Sequence, residues 1–401
     1  SEILKIAADV RRMQAEGQQV VNLTVGDFSP SEFRIPRRLE DAVAAAIAEG
    51  QTNYPPSDGL PELRRAVRAF LDRELGMDYP LEGILVSGGA RPLLYGAYRA
   101  VLDPGDVVVY PVPSWNNNHY CHMVGAVGVP VVCSAADSFL PTPELLAPHL
   151  RSARMIVLNS PLNPTGTTFS EEALRAVTQA VVDENLRRQQ TGERALYLLY
   201  DQVYWTLTLH GTRHVDPIRL VPASAPWVIL VDGLSKAFAA TGLRVGWSCA
   251  APAVTARMRD ILGHVGAWAP RPEQRASAVM LEDAEATHAW LDHMRTEIAA
   301  RLDALYDGLT ALRAEGLPVE AIAPAGAIYL SVRFDLAGRP GFETNDAIRK
   351  WVLASSGTAV VPFNAFAYPH QDGWMRMSVG AVSVAQCHAC VERIGTALRS
   401  L

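Results

Sequence analysis

The side chain best suited to covalent chemistry in this sequence stands out by its rarity. Of the 36 basic residues only three are lysines, Lys5, Lys236 and Lys350, which leaves 33 arginines. Arginine serves wherever charge alone is needed, but only an amine can lose its proton and attack a carbonyl. Lys5 and Lys350 sit in polar helical contexts that predict solvated side chains. Lys236 instead follows the β-branched run WVILV and opens the small-residue segment SKAFAATGLRVGW. A second candidate is Asp201, at the end of the apolar run LYLLYD, where an ionised carboxylate without a partner is costly. Asp201 either caps a helix or pairs with a buried cation. The segment SGGARPLLYG places Gly88, Gly89 and Ala90 between a strand-like run and a helix start, where free backbone N–H groups and the helix dipole favour a phosphate. A plain tight turn explains the two glycines equally well. Trp115, Asn163, Tyr204 and Arg244 also follow strand-like runs; singly, the first three read as a core tryptophan, a turn asparagine and a core tyrosine.

These groups need a scaffold that gathers loop residues at one edge. Between about Ile84 and Cys249 seven short apolar runs recur between helical or loop stretches: ILVS, VVVY, VPVVC, MIVLN, LYLLY, WVILV and VGWSC. That alternation predicts an α/β fold with a mostly parallel sheet covered by helices on both faces. Ligands of such sheets bind at the carboxyl ends of the strands, where Ser87-Gly88-Gly89, Asn159-Ser160-Pro161 and Asp201-Gln202 fall. From Pro272 to Glu315 a stretch rich in Ala, Leu, Glu and Arg predicts one or two long helices. The strand-like IYLSVRF, TAVVPF and MRMSVG and helices near Asn345 and from Val384 then predict a smaller α+β domain. The expected division is an N-terminal segment, 1–45, packing on the small domain; a large domain, 46–285; and the small C-terminal domain, 286–401.

Composition narrows the function classes. The length of 401 residues suits two or three domains. The 36 basic and 42 acidic residues give a net charge of −6, which argues against a nucleic-acid or anionic-lipid partner. The longest apolar run, Val124 to Ala136, is interrupted by Gly125, Gly128 and Pro130 and falls short of the ~18 residues of a membrane helix. Five cysteines, an odd number, suit a reducing cytoplasm; Cys387 and Cys390 read as inert helical thiols rather than part of a metal site.

Taken together, YPPSDGLPELR (from Tyr54), SGGARPL with LDPGD, PVPSW ending at Trp115, NSPLNPTG, YDQVY, SKAFAATGLRVG and MRMSVG resemble, in that order and across nearly the whole chain, the pyridoxal-phosphate (PLP) aminotransferases of fold type I. The branch is class I/II, which includes bacterial aspartate aminotransferases. The resemblance implies a homodimer moving the amino group of an L-amino acid to a 2-oxo acid such as 2-oxoglutarate. It implies that Lys236 forms the internal Schiff base and then shuttles the Cα proton, and that Asp201 pairs with the pyridine nitrogen. Asn163 and Tyr204 would bond the ring's 3′ oxygen and Trp115 would stack on the ring. The phosphate would sit on Gly88, Gly89 and Ala90 with Ser235 and Arg244, and be reached by Tyr54 from the other subunit. Arg376 would clamp the substrate α-carboxylate near Gly26, with Trp115 and Asn163 beside it; no metal is implied.

Departures from the family pattern qualify this. A serine common in relatives is Gly233 here, which removes one phosphate ligand. Ala90 stands where some relatives use a lysine for the substrate's side-chain carboxylate, although Arg91 is adjacent. The polar WNNNHY segment after Trp115 is either a solvated loop or a functional one, in which Asn117, Asn118 or His119 shapes the substrate pocket or backs Asp201. On the second reading the donor range is broader than aspartate. Rival readings are another PLP reaction on this scaffold, such as a β-lyase or cyclising synthase, and a PLP-fold sensor domain of a transcription regulator, which the negative charge disfavours.

Overall fold

In the computed structural model, residues 2–401 are described, apart from the side chains of residues 2–5, 7, 11 and 14. The side chain of Lys5 therefore lies outside the described residues, whereas Lys350 is exposed and pairs with Asp346 at 2.7 Å. The strands in chain order are β1 (Val21–Asn22), β2 (Ile84–Ser87), β3 (Val107–Val112), β4 (Val127–Val132), β5 (Ala153–Asn159), β6 (Tyr197–Asp201) and β7 (Val228–Gly233). They continue with β8 (Gly246–Cys249), β9 (Val319–Ala321), β10 (Tyr329–Phe334), β11 (Thr358–Ala359), β12 (Val361–Pro362) and β13 (Trp374–Ser378).

All seven apolar runs became strands of one sheet, in the order β2-β8-β7-β6-β5-β3-β4. Only β8 runs against its neighbours β2 and β7; the other pairs are parallel. Strands with helices on both faces must be apolar on both faces, hence the continuous runs. β4 is an edge strand, with Val127, Pro130 and Val132 exposed. It can carry Pro130, opposite Tyr110, because no further strand needs a donor from that side.

The Ala/Leu/Glu/Arg-rich stretch is two helices, Arg271–Glu282 and Ala284–Ala314. Asp283 separates them and caps the second by accepting the Ala286 N–H at 3.0 Å. The 31-residue second helix, about 46 Å long at 1.5 Å per residue, serves two cores. Its Leu291 packs into the core of the large sheet. Met294, Ile298, Leu302, Leu305 and Leu309, spaced along one face, enter a second core with Tyr329, Leu330, Met375 and Met377. That second core covers the antiparallel sheet β12-β13-β10-β9.

Val21, Leu23, Phe28 and Phe33 also join this second core, and β1 pairs in parallel with β11. The following helix, Arg37–Ala48, instead buries Leu39 against the large sheet. Between Leu23 and Phe28, residues Thr24, Gly26 and Asp27 line a cavity.

Candidate active site

A cavity of about 660 Å³ opens at the carboxyl ends of β6 and β7 and is closed from above by the N-terminal segment and β13. Of the residues expected at the site, Gly26, Ala90, Trp115, Asn163, Asp201, Tyr204, Ser235, Lys236, Arg244 and Arg376 line it. Thr24, Asp27, Arg91, Asn159, Thr241 and Tyr329 line it too, and no sequence pattern assigned a functional role to Thr24, Asp27, Thr241 or Tyr329. Tyr329 sits in a strand-like run where an aromatic reads as core, so nothing local marked it. Asn159 lay unassigned within NSPLNPTG.

Lys236 sits on the short helix Leu234–Ala237, directly after β7. Its Nζ donates to the Gly26 carbonyl at 2.7 Å and lies 5.6 Å from the Tyr204 ring centroid. Burial brings its ammonium down to about 8; Arg376 and Arg91 act in the same direction and Asp27 and Asp201 against it. A minor neutral fraction, on the order of a tenth at pH 7 and far above that of an ordinary lysine, is therefore able to attack a carbonyl. A Cβ at Gly26 would crowd the Tyr329 hydroxyl at 3.1 Å and touch Arg376 Nη1 at 3.6 Å, so glycine keeps this wall of the cavity open.

Asp201 ends β6 and caps no helix; its Oδ1 accepts the Val203 N–H at 3.1 Å. Burial pushes its carboxyl up to about 6, opposed by that N–H and by Lys236. Among the described residues it has no ion-pair partner, and Lys236 is the cation that acts on it. Tyr204, also buried, shares a 2.5 Å hydrogen bond with the Tyr329 hydroxyl. Asn163 offers its Oδ1 to Arg376 Nη1 at 3.1 Å, and its Nδ2 has no acceptor among the described residues.

Arg376, in the middle of β13, is 2% exposed. Nη2 donates to the Thr24 carbonyl at 2.7 Å, Nε is buried without a partner, and the Tyr329 and Phe366 rings flank the guanidinium at 4.7 and 4.9 Å. Arg244 donates to two carbonyls, Thr241 at 2.8 Å and Gly88 at 3.0 Å. Its backbone is left-handed, φ 55°, a strain of the kind that persists where function over-determines it. Arg91 lies 5.6 Å over the Trp115 ring. None of these three guanidiniums has a carboxylate within ion-pair distance among the described residues.

Two expectations need correction. Gly88 and Gly89 do not present free N–H groups, because Gly88 N–H is committed to the Ala267 carbonyl at 2.8 Å and Gly89 N–H to Ser87 at 2.7 Å. Their glycine character serves close approach instead: Gly89 has φ 97°, and a Cβ there would lie 2.5 Å from Arg244 Nη2. Among the described residues the N–H groups of Ala90 and Arg91 at this helix start have no acceptor, and Ala90, Arg91, Ser235 and Arg244 line the same cavity. Likewise Asn117, Asn118 and His119 do not line the cavity. A left-handed Asn116, φ 61°, starts the helix Asn117–Val124, and Asn117 is tied to Ser114 Oγ at 3.0 Å. The polar segment thus gives no support to a neutral substrate pocket. Gly233 has a packing reason: a Cβ would come 2.8 Å from the Val245 carbonyl across the β7–β8 pair.

Against known proteins, the family described as aminotransferase class I and II matches residues 18–394. The chain belongs to that family. This aminotransferase is 32% identical to the aspartate/prephenate aminotransferase of Thermus thermophilus over 402 residues, covering 99% of this chain and 96% of the relative. It is 31% identical to an aspartate aminotransferase of Rhizobium meliloti over 405 residues, covering 99% and 93%. Its fold superposes on the Thermus thermophilus enzyme with maleate with a TM-score of 0.87 (29% identity, 99% and 97% covered). For the Rhizobium meliloti enzyme the TM-score is 0.89 (30% identity, 100% and 96% covered).

The aminotransferase uses PLP, and the cavity suits that group. It offers one amine, Lys236, the buried carboxylate of Asp201 with no ion-pair partner among the described residues, a free Asn163 Nδ2, and a cup at Ala90, Ser235 and Arg244 where glycine at position 89 leaves Arg244 its place. The two deeper guanidiniums are separable by experiment. Arg244→Ala is expected to lower PLP retention on dialysis at least tenfold, as loss of a charge-assisted phosphate contact should. Arg376→Lys should keep its cofactor but raise the amino-acid KM about tenfold, because a point charge lacks the bidentate fork. The reverse pattern would exchange the two sites.

Proposed function

We propose that this aminotransferase takes a dicarboxylic L-amino acid, aspartate foremost, as donor and a 2-oxo acid such as 2-oxoglutarate as acceptor. The observation that carries this is the set of three guanidiniums in one cavity, Arg91, Arg244 and Arg376, none with a carboxylate partner. The cofactor phosphate accounts for Arg244 and the substrate α-carboxylate for Arg376. A third anion, the side-chain carboxylate, accounts for Arg91. The names of the relatives, aspartate and aspartate/prephenate aminotransferases, agree with it.

When bound, PLP supplies an electron sink for the electrons left when the substrate loses its Cα proton. Lys236 would attach the cofactor and carry that proton, Asp201 would keep the ring nitrogen protonated, and Asn163 and Tyr204 would hold the 3′ oxygen. Arg376 holds the α-carboxylate against β13, with Gly26 leaving the space it needs. Trp115 bounds the cavity and supports Arg91.

The working unit in this reading is a homodimer. Tyr54 is 80% exposed and packs edge-on against Trp268 at 5.1 Å, outside its own chain's cavity, as suits a side chain that serves a second subunit. The division into residues 1–45, 46–285 and 286–401 is kept, except that helix Arg37–Ala48 goes with the large domain because Leu39 packs there. A cytoplasmic location is supported by five buried, free cysteines; no helix among the described residues is long and apolar enough to cross a membrane.

A panel of donors with 2-oxoglutarate tests the substrate assignment. Arg91→Ala should lower kcat/KM for aspartate about 10- to 100-fold, the worth of a hydrogen-bonded charge, and leave alanine within twofold. An equal fall for both donors, or none for aspartate, would refute it.

A further inference from the structure

The geometry points to Asn159 as the positioning residue that fixes the cofactor's anchor and the substrate's clamp relative to each other. Asn159 is the last residue of β5 and lies opposite Asp201 in the parallel pairing. Its carboxamide is engaged at both ends. Nδ2 donates to the Asp201 carbonyl at 2.8 Å, and Oδ1 accepts the Asn163 N–H at 2.8 Å. Asn163 in turn holds Arg376 Nη1 at 3.1 Å. One amide group therefore joins the backbone of Asp201 to the residue that orients Arg376.

The two ends are unequal. The Asp201 carbonyl also accepts the Ser160 N–H at 3.1 Å, so Nδ2 adds to an acceptor already satisfied. The Asn163 N–H has no other acceptor among the described residues, and Asn163 is only 8% exposed. Losing Oδ1 leaves a buried donor unpaired, which is the costly case. Within the loop, Leu162 N–H donates to the Thr167 carbonyl at 2.8 Å and Gly166 N–H to the Leu162 carbonyl at 2.9 Å, while its far side is held by Ala325 and Gly326 N–H to the Gly166 carbonyl at 2.9 and 3.1 Å and by Ser331 Oγ to the Thr165 carbonyl at 2.9 Å. Asn159 is the side chain that ties the backbone of Asn163 itself to the end of the large sheet. Only an amide supplies both a donor and an acceptor at this reach: aspartate keeps the acceptor alone, and leucine keeps the shape with neither.

The inference rests on Arg376 being the α-carboxylate clamp, and maleate, a dicarboxylate with no amino group to transfer, probes it without turnover. Calorimetric titration of maleate into PLP-loaded enzyme should show Asn159→Leu binding about tenfold more weakly than wild type, with unchanged cofactor content. Asn159→Asp should bind maleate within about threefold of wild type, while its carboxylate shifts the pH dependence of the bound cofactor's visible absorbance. In an Arg376→Lys background Asn159→Leu should add less than about twofold, since both act through one link. Wild-type affinity in Asn159→Leu, or an equal tenfold loss in both backgrounds, would overturn the inference. If Asn159→Leu loses its cofactor or its folded state, the aspartate variant decides, and a tenfold loss there overturns it. A wild-type enzyme that neither binds maleate nor transaminates would remove the clamp reading itself, and the inference with it.

Discussion

Lys236→Ala is expected to bind PLP without any link that borohydride can fix and to lose turnover by at least about 10⁴-fold, the upper range for general acid–base catalysis. Lys236 is the one lysine lining the cavity, with Nζ held 2.7 Å from the Gly26 carbonyl. No arginine nearby can replace it, because a guanidinium does not lose its proton. Its lowered pKa, about 8 through burial, gives a second readout. Below that value the amine is mostly protonated, so the rate at which cofactor-free enzyme captures PLP covalently should rise about tenfold per pH unit and level off above about 8. Covalent fixation in Lys236→Ala would disprove the assignment.

Asp201→Asn should lower kcat about 10³-fold, the scale expected when one partner of a buried charge pair is removed, while changing fold and cavity little. In the cofactor-free protein burial holds the carboxyl up at about 6. If Asp201 meets a protonated ring nitrogen as proposed, that cation would favour the carboxylate, so loading would release a proton from any Asp201 that carries one. Cofactor affinity in the wild type is accordingly expected to weaken as the pH falls through about 6. The asparagine variant should lack that acid limb. A wild-type affinity flat between pH 5 and 7, or a variant with the same limb, would place the effect on another group.

The strands were readable because a sheet covered on both faces makes each one a continuous apolar run, and seven runs gave seven strands. Lys236 was readable because a chain that uses arginine elsewhere marks the place where an amine is required. Asp201 was readable as a carboxylate closing an apolar run. What these residues touch was decided only by the tertiary structure. Gly26 meets Lys236 across 210 residues, Asn163 meets Arg376 across 213, and Tyr204 meets Tyr329 across 125. The same holds for the donors at Gly88 and Gly89. They stand at a helix start, yet the Gly88 N–H is taken by Ala267, 179 positions further on, and the Gly89 N–H by Ser87. Local pattern likewise marked WNNNHY as polar, but the left-handed turn at Asn116 and the bond from Asn117 to Ser114 point it away from the cavity. A residue's type and its place along a strand follow from its neighbours in the chain. Whether its donors are free and which charges face it depend on groups far away in sequence, which only packing brings within hydrogen-bond distance.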